Sequence, residues 1–215
     1  MSTITDYFAT LRDWKLLLAY KAETRVDSIV GFALPQVFSH VRDLDVSAVI
    51  PELPLRIGSV QPKHADAKFA NKSYKVDFFV VTKCGKNLLV EFKTNSASRR
   101  DGQDGYLKDA QHEGLGAVVS GVIALLGVTT YKAKYLHLIR KLCDAGLVEE
   151  VGGEFRTSVQ NDQLEIVYVQ PHLKEGDVAS QVIDFLAVAE AIEHGFKDDE
   201  FMHEAAESFR SWSED

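Results

Sequence analysis

The chain has 215 residues, 46% of them apolar and 26% charged, an ordinary globular composition and enough length for one domain with a sizeable core. Its formal net charge of −8 runs against simple phosphate binding, and its two cysteines, Cys84 and Cys143, stand in no metal-ligand spacing. Free thiols, together with an N-terminus lacking a basic start and an apolar block, lead us to expect a cytoplasmic protein.

In chain order, residues 3–21 predict a helix with Leu11, Trp14, Leu17 and Leu18 on one face. A second helix is expected over 25–41, with Pro35 as a potential break. Residues 48–57 contain two prolines and suit an edge strand, and 58–73 read as a polar, basic loop. Tyr74–Val81 and Leu88–Thr94 are strong strand candidates. Helices are expected over 102–113, 116–126 and 131–145, then a hairpin over 147–157 turning at Gly152-Gly153. A strand over 164–170 is stopped by Pro171, and two helices follow, over 178–194 and 198–212. The apolar run near 117–128 falls short of the about 20 residues that span a bilayer, so a buried helix and no membrane partner are expected. The order predicts an α/β fold, a mixed sheet with a central antiparallel hairpin flanked by helices. Residues 1–195 would form this domain and 196–215 an acidic helical tail.

Charge is unevenly spread. Residues 61–108 hold ten Lys/Arg against five Asp/Glu, whereas 190–215 hold two against nine. The middle of the chain is basic and the acidity sits in the tail. Phe196, Phe201, Phe209 and Trp212 suggest that this tail docks, as a gate over the basic face or as part of a homodimer contact.

The central hairpin carries the chemistry. Lys83-Cys84-Gly85 suits a three-residue loop with glycine in the last, left-handed position. That loop pairs Thr82 with Lys86 and sets Asp77 opposite Glu91. Side chains alternate faces along a strand, so Val76, Phe78 and Val80 share an apolar face with Leu88, Val90 and Phe92. The other face carries Asp77, Glu91 and Lys93, beside Phe79 and Leu89. Opposed carboxylates with Cβ atoms about 5 Å apart repel one another, and a divalent cation between them removes the repulsion. Mg²⁺ takes one or two carboxylates with water and phosphate oxygens as its other ligands, and a lysine on the same face can orient the attacking water.

Asp77 followed on the next strand by Glu91-Phe92-Lys93 resembles the PD-(D/E)XK nuclease superfamily. The resemblance implies a restriction-endonuclease-like core and Mg²⁺- or Mn²⁺-dependent hydrolysis of DNA or RNA phosphodiesters. It implies that Asp77 and Glu91 bind the metal and that Lys93 assists the water. Val76 stands where the family's proline would be. The triplet also occurs as Asp13-Trp14-Lys15 and Asp66-Ala67-Lys68, but only Glu91-Phe92-Lys93 sits in a strand with a second carboxylate aligned across a hairpin. An early acidic metal ligand is expected at Glu52, with Glu23 and Asp27 as alternatives. Gln103 and Tyr106 are three apart on one helix face and are similar to the glutamine-tyrosine helix that lines the site in several nuclease branches. Arg99 and Arg100, just before it, are candidate phosphate contacts.

Two other readings stay open. Residues 129–158 resemble the recognition helix and wing of a winged-helix DNA-binding regulator, although Glu149, Glu150 and Glu154 would repel phosphate from the wing. A nuclease-fold protein without turnover would act as a binding component. The histidines, among them His112, His137, His172, His194 and His203, fall on different elements, and neither an H-E-x-x-H motif nor a phosphate-binding P-loop is present.

Overall fold

A computed structural model describes residues 3–15, 23–95 and 101–214. Among these the protein is α/β. Its helices are α1 (Thr3–Lys15), α2 (Glu23–Arg42), α3 (Ile57–Val60), α4 (Asp101–Val128), α5 (Lys132–Asp144), α6 (Phe185–Gly195) and α7 (Glu200–Trp212). Its strands are β1 (Val46–Arg56), β2 (Ser73–Thr82), β3 (Asn87–Phe92), β4 (Val148–Val151), β5 (Glu154–Thr157), β6 (Leu164–Gln170) and β7 (Val182–Asp184). Five strands form a mixed sheet in the order β1-β2-β3-β6-β7, and β4-β5 form a separate hairpin. β2 and β3 are antiparallel, β6 and β7 parallel.

The expected hairpin forms in the expected register. Phe78 pairs with Val90, Phe79 with Leu89, Val80 with Leu88 and Val81 with Asn87. The Lys86 carbonyl accepts from the Thr82 amide at 3.0 Å, and Gly85 takes the left-handed conformation at φ 83°. Glycine tolerates that φ because no Cβ meets the following carbonyl. β1 lies at the sheet edge, where Pro51 and Pro54 break no central ladder.

The contacts divide the chain into two units, Met1–Val46 with Glu91–Arg99 and Val167–Asp215, and Ser47–Val90 with Arg100–Ile166. In the first unit α2 packs on α6, and α7 on both α6 and α1. Val26, Val30, Ala33, Leu34 and Val37 recur at helical spacing and are buried. α2 stays helical through Pro35, because Leu34, Val37 and Phe38 bury fully on either side of it. Phe92, Phe185 and Phe209 form an aromatic cluster, with Phe185 and Phe209 edge to face at 5.1 Å. Phe209 and Trp212 are buried, so α7 docks by its aromatic face, while Phe201 stays partly exposed.

In the second unit Leu107, Ala110, Leu115, Val118, Val122 and Leu125 of α4 are buried, and α4 packs on α3, α5 and β5. By length and composition alone, Asp104–Val128 would be long and apolar enough to cross a membrane. It is the structure's continuation of the two helices expected over 102–113 and 116–126. They abut at Gly114, whose φ of 85° is not helical. Asp162 caps the second half, accepting at its backbone carbonyl from the Leu115 amide at 3.0 Å and at Oδ1 from the Gly116 amide at 2.5 Å. A Cβ at Gly114 would sit 2.4 Å from that carboxylate, so the break needs glycine.

Other expectations are corrected. The loop expected over 58–73 contains α3 and two 3₁₀ turns, Pro62–His64 and Ala67–Phe69. The helix expected from Val178 begins only at Phe185. Before it, Val182–Asp184 pair with Tyr168–Gln170, and Asp184 then caps α6 by accepting from the Ala187 amide at 2.8 Å. Pairing with β6 supplies hydrogen bonds that a local helical pattern does not reveal. The part of the first expected helix over 16–21 lies outside the described residues.

Candidate active site

β3 is buried at every position, unlike a strand with one solvated face. The face expected to carry charge is therefore dry. Phe79 and Leu89 are fully buried, Glu91 is 0% exposed and Lys93 4%. Burying a carboxylate and an ammonium is costly unless each is paired. Lys93 meets this by placing Nζ 3.1 Å from Glu91 Oε2 and donating to the Phe92 carbonyl at 3.0 Å. Its backbone amide donates to the Val169 carbonyl at 2.8 Å, which fixes the strand end that carries the pair.

Asp77 is half-buried on β2, the residue immediately before Phe78. Phe78 pairs with Val90, and Glu91 is the residue immediately after Val90. Asp77 and Glu91 thus each lie one peptide beyond the last pair of that ladder. Among the described residues no group of three or more His, Cys, Asp or Glu side chains is arranged to hold a metal ion. A Mg²⁺ site of this class needs fewer, since water and substrate oxygens fill the remaining positions.

Glu52 lies on β1, the strand next to β2 in the sheet. It is exposed, takes a left-handed φ of 55° in β1, and places Oε2 2.5 Å from Lys75 Nζ. Its carboxylate is committed to a lysine on β2. The φ turns Pro51 and Glu52 both outward and interrupts the alternation of β1. Asp27 is exposed, and its Oδ1 accepts from the Ser28 amide at 2.6 Å. The side chains of Glu23 and Gln103, and Arg99 and Arg100 altogether, lie outside the described residues.

Tyr106 reaches β2. Its hydroxyl donates to the Lys75 carbonyl at 3.0 Å, and its ring stacks on Tyr74 at 4.4 Å and 6°. The start of α4 is thereby tied to the strand two residues from Asp77. Helical spacing pointed to Tyr106 but not to Tyr74, because nothing local links a strand residue to a helix 32 positions later. The Tyr135 phenol is shifted upward, chiefly by burial.

The hairpin expected over 147–157 forms as β4-β5, turning at Gly152-Gly153 after α5. Glu149, Glu150 and Glu154 are exposed on it. His40 and His194, on different helices, bring their rings within 5.2 Å, which sequence spacing did not reveal. The chain shows no match to a family model, to a curated protein or to a solved structure.

Proposed function

We propose that the protein is a metal-dependent nuclease with a restriction-endonuclease-like core, hydrolysing phosphodiester bonds of DNA or RNA. The observation that carries the reading is the buried Glu91–Lys93 pair, at 3.1 Å, at the end of a strand registered against the one bearing Asp77. A chain selected only for folding gains little from burying such a pair, since apolar residues of similar volume often serve as well. Burial of this kind is common where electrostatics serve chemistry.

In this reading Asp77 and Glu91 supply carboxylate oxygens to Mg²⁺ or Mn²⁺, and the ion, when bound, supplies positive charge to the scissile phosphate. Lys93 keeps its ammonium against Glu91, orients the attacking water and offsets charge that develops on the phosphoryl oxygens. The dry surroundings strengthen each of these interactions. The winged-helix reading is second, because the exposed acids of β4-β5 would face phosphate.

Thermal unfolding with and without Mn²⁺ tests the site. Asp77→Asn is expected to raise the melting temperature of the metal-free protein, because it removes one of two opposed charges. The same substitution should abolish the Mn²⁺ gain, which at a hundredfold excess over Kd is about 2.7 kcal/mol in the wild type. Equal protection of both proteins by Mn²⁺ would show the ligand assignment to be wrong.

A further inference from the structure

The segment Gln61–Lys75 runs from the end of α3 into the first residues of the strand bearing Asp77, and the proposed chemistry does not use it. It carries Lys63, Lys68, Lys72 and Lys75 against a single acid, Asp66, in a chain of net charge −8. All four lysines are exposed. Lys75 is paired with Glu52, whereas Lys63, Lys68 and Lys72 are exposed along the segment. Asp66 is turned to local use, its Oδ1 accepting from the Lys68 amide at 3.0 Å.

Aromatic rings are interleaved with these charges. The ammoniums of Lys68 and Lys72 lie 5.6 and 5.1 Å from the centre of the Phe69 ring, and the His64 ring lies 4.8 Å from it. The segment is held in place. The Ala70 carbonyl accepts from Arg56 Nε at 3.1 Å, the Lys72 carbonyl from the Ile57 amide at 3.0 Å, and Gln61 Nε2 donates to Asp109 Oδ2 at 2.6 Å. The half-buried Phe69 ring, with the ammoniums lying over it on mobile side chains, is an aromatic surface that a base can stack on once the lysines turn to phosphate. Unpaired bases present such faces, and in a duplex they are hidden in the stack.

We infer that Gln61–Lys75 is a binding track for single-stranded polynucleotide, with Phe69 as a base-stacking platform and Lys63, Lys68 and Lys72 gripping phosphates. The inference rests on the proposed function in taking a phosphodiester chain as ligand, and it names that ligand's strandedness. The track leads directly into β2, so a strand bound along it runs toward Asp77.

Fluorescence anisotropy in EDTA tests this without turnover, using short fluorescein-labelled oligothymidylate and oligouridylate and a duplex of equal length. Single strands are expected to bind more tightly than the duplex, and the tighter of the two identifies the sugar. Phe69→Ala should weaken binding roughly tenfold and Phe69→Tyr should restore it, because stacking needs only a ring. Lys68→Gln/Lys72→Gln should lower the slope of log affinity against log salt by about 1.4, at about 0.7 per phosphate on a single strand. Melting temperatures of the variants identify any that fail to fold, and the exposed double-lysine variant is the safeguard. Duplex binding as tight as single-strand binding overturns the inference. So does affinity in a folded Phe69→Ala that equals wild type, or an unchanged salt slope. Loss of Mn²⁺ protection bears on Asp77 and Glu91 alone, so the two readings fail separately.

Discussion

Two hairpins in this protein share one local grammar and differ in almost everything else. β2-β3 and β4-β5 each turn on a glycine at φ 83°, Gly85 in one and Gly153 in the other. Each carries an acid and a base two residues apart, Glu91 of β3 with Lys93 just past the strand's end at 3.1 Å, and Glu154 with Arg156 within β5 at 3.2 Å. In the first pair the side chains are 0% and 5% exposed, in the second 75% and 61%. The same contact is a shielded, desolvated feature in one place and a solvated decoration in the other. Distance alone therefore says little about what an ion pair does, and burial decides it.

The largest expected effect follows from that contrast. Lys93→Met leaves the Glu91 carboxylate buried without its lysine, and should cost about 3 kcal/mol in urea unfolding with EDTA present. Glu91→Gln/Lys93→Met should recover most of the loss, since a neutral pair needs no counter-ion. A single substitution costing no more than a surface change would erase the distinction between the hairpins.

The two turns should behave alike. Nothing lies within 4 Å of a Cβ built at Gly85 or Gly153, so alanine at either meets only the backbone penalty of the left-handed region. Each of Gly85→Ala and Gly153→Ala should cost about 1–2 kcal/mol. A much larger loss at Gly85 would show that the buried hairpin amplifies turn strain, which sharpens the contrast.

The smallest effect belongs to the exposed pair. Glu154→Ala should change stability by less than about 0.5 kcal/mol, and less still at high salt. A loss comparable to that of Lys93→Met would mean that β4-β5 is covered in solution by something, and sizing would then be the next measurement.

Much of this was legible in residue order. The alternation in YKVDFFVV and LLVEFKT, with Lys83-Cys84-Gly85 between them, was enough for strands, turn and register. Pro171 marked the end of β6, and Asp199 sits at the N-cap of α7, accepting from the Met202 amide at 2.9 Å. The candidate site was legible as far as Asp77, Glu91 and Lys93 share one alternation. At Glu52 a local left-handed φ and a lysine on the neighbouring strand decide where the carboxylate goes, and neither is visible in residue order. β7 falls where the local pattern predicts helix, because three residues hold strand geometry only while β6 is beside them.

What the sequence determined by itself was therefore local and periodic. It specified which residues share a face, where a turn needs glycine, and which two carboxylates the hairpin register leads to. Only the tertiary structure decided how deep each face lies. It made both faces of β3 dry, kept α2 helical through Pro35, and stacked Tyr106 on Tyr74. The physical reason is that backbone geometry and side-chain alternation act over a few residues, whereas desolvation depends on every element that arrives later in the chain.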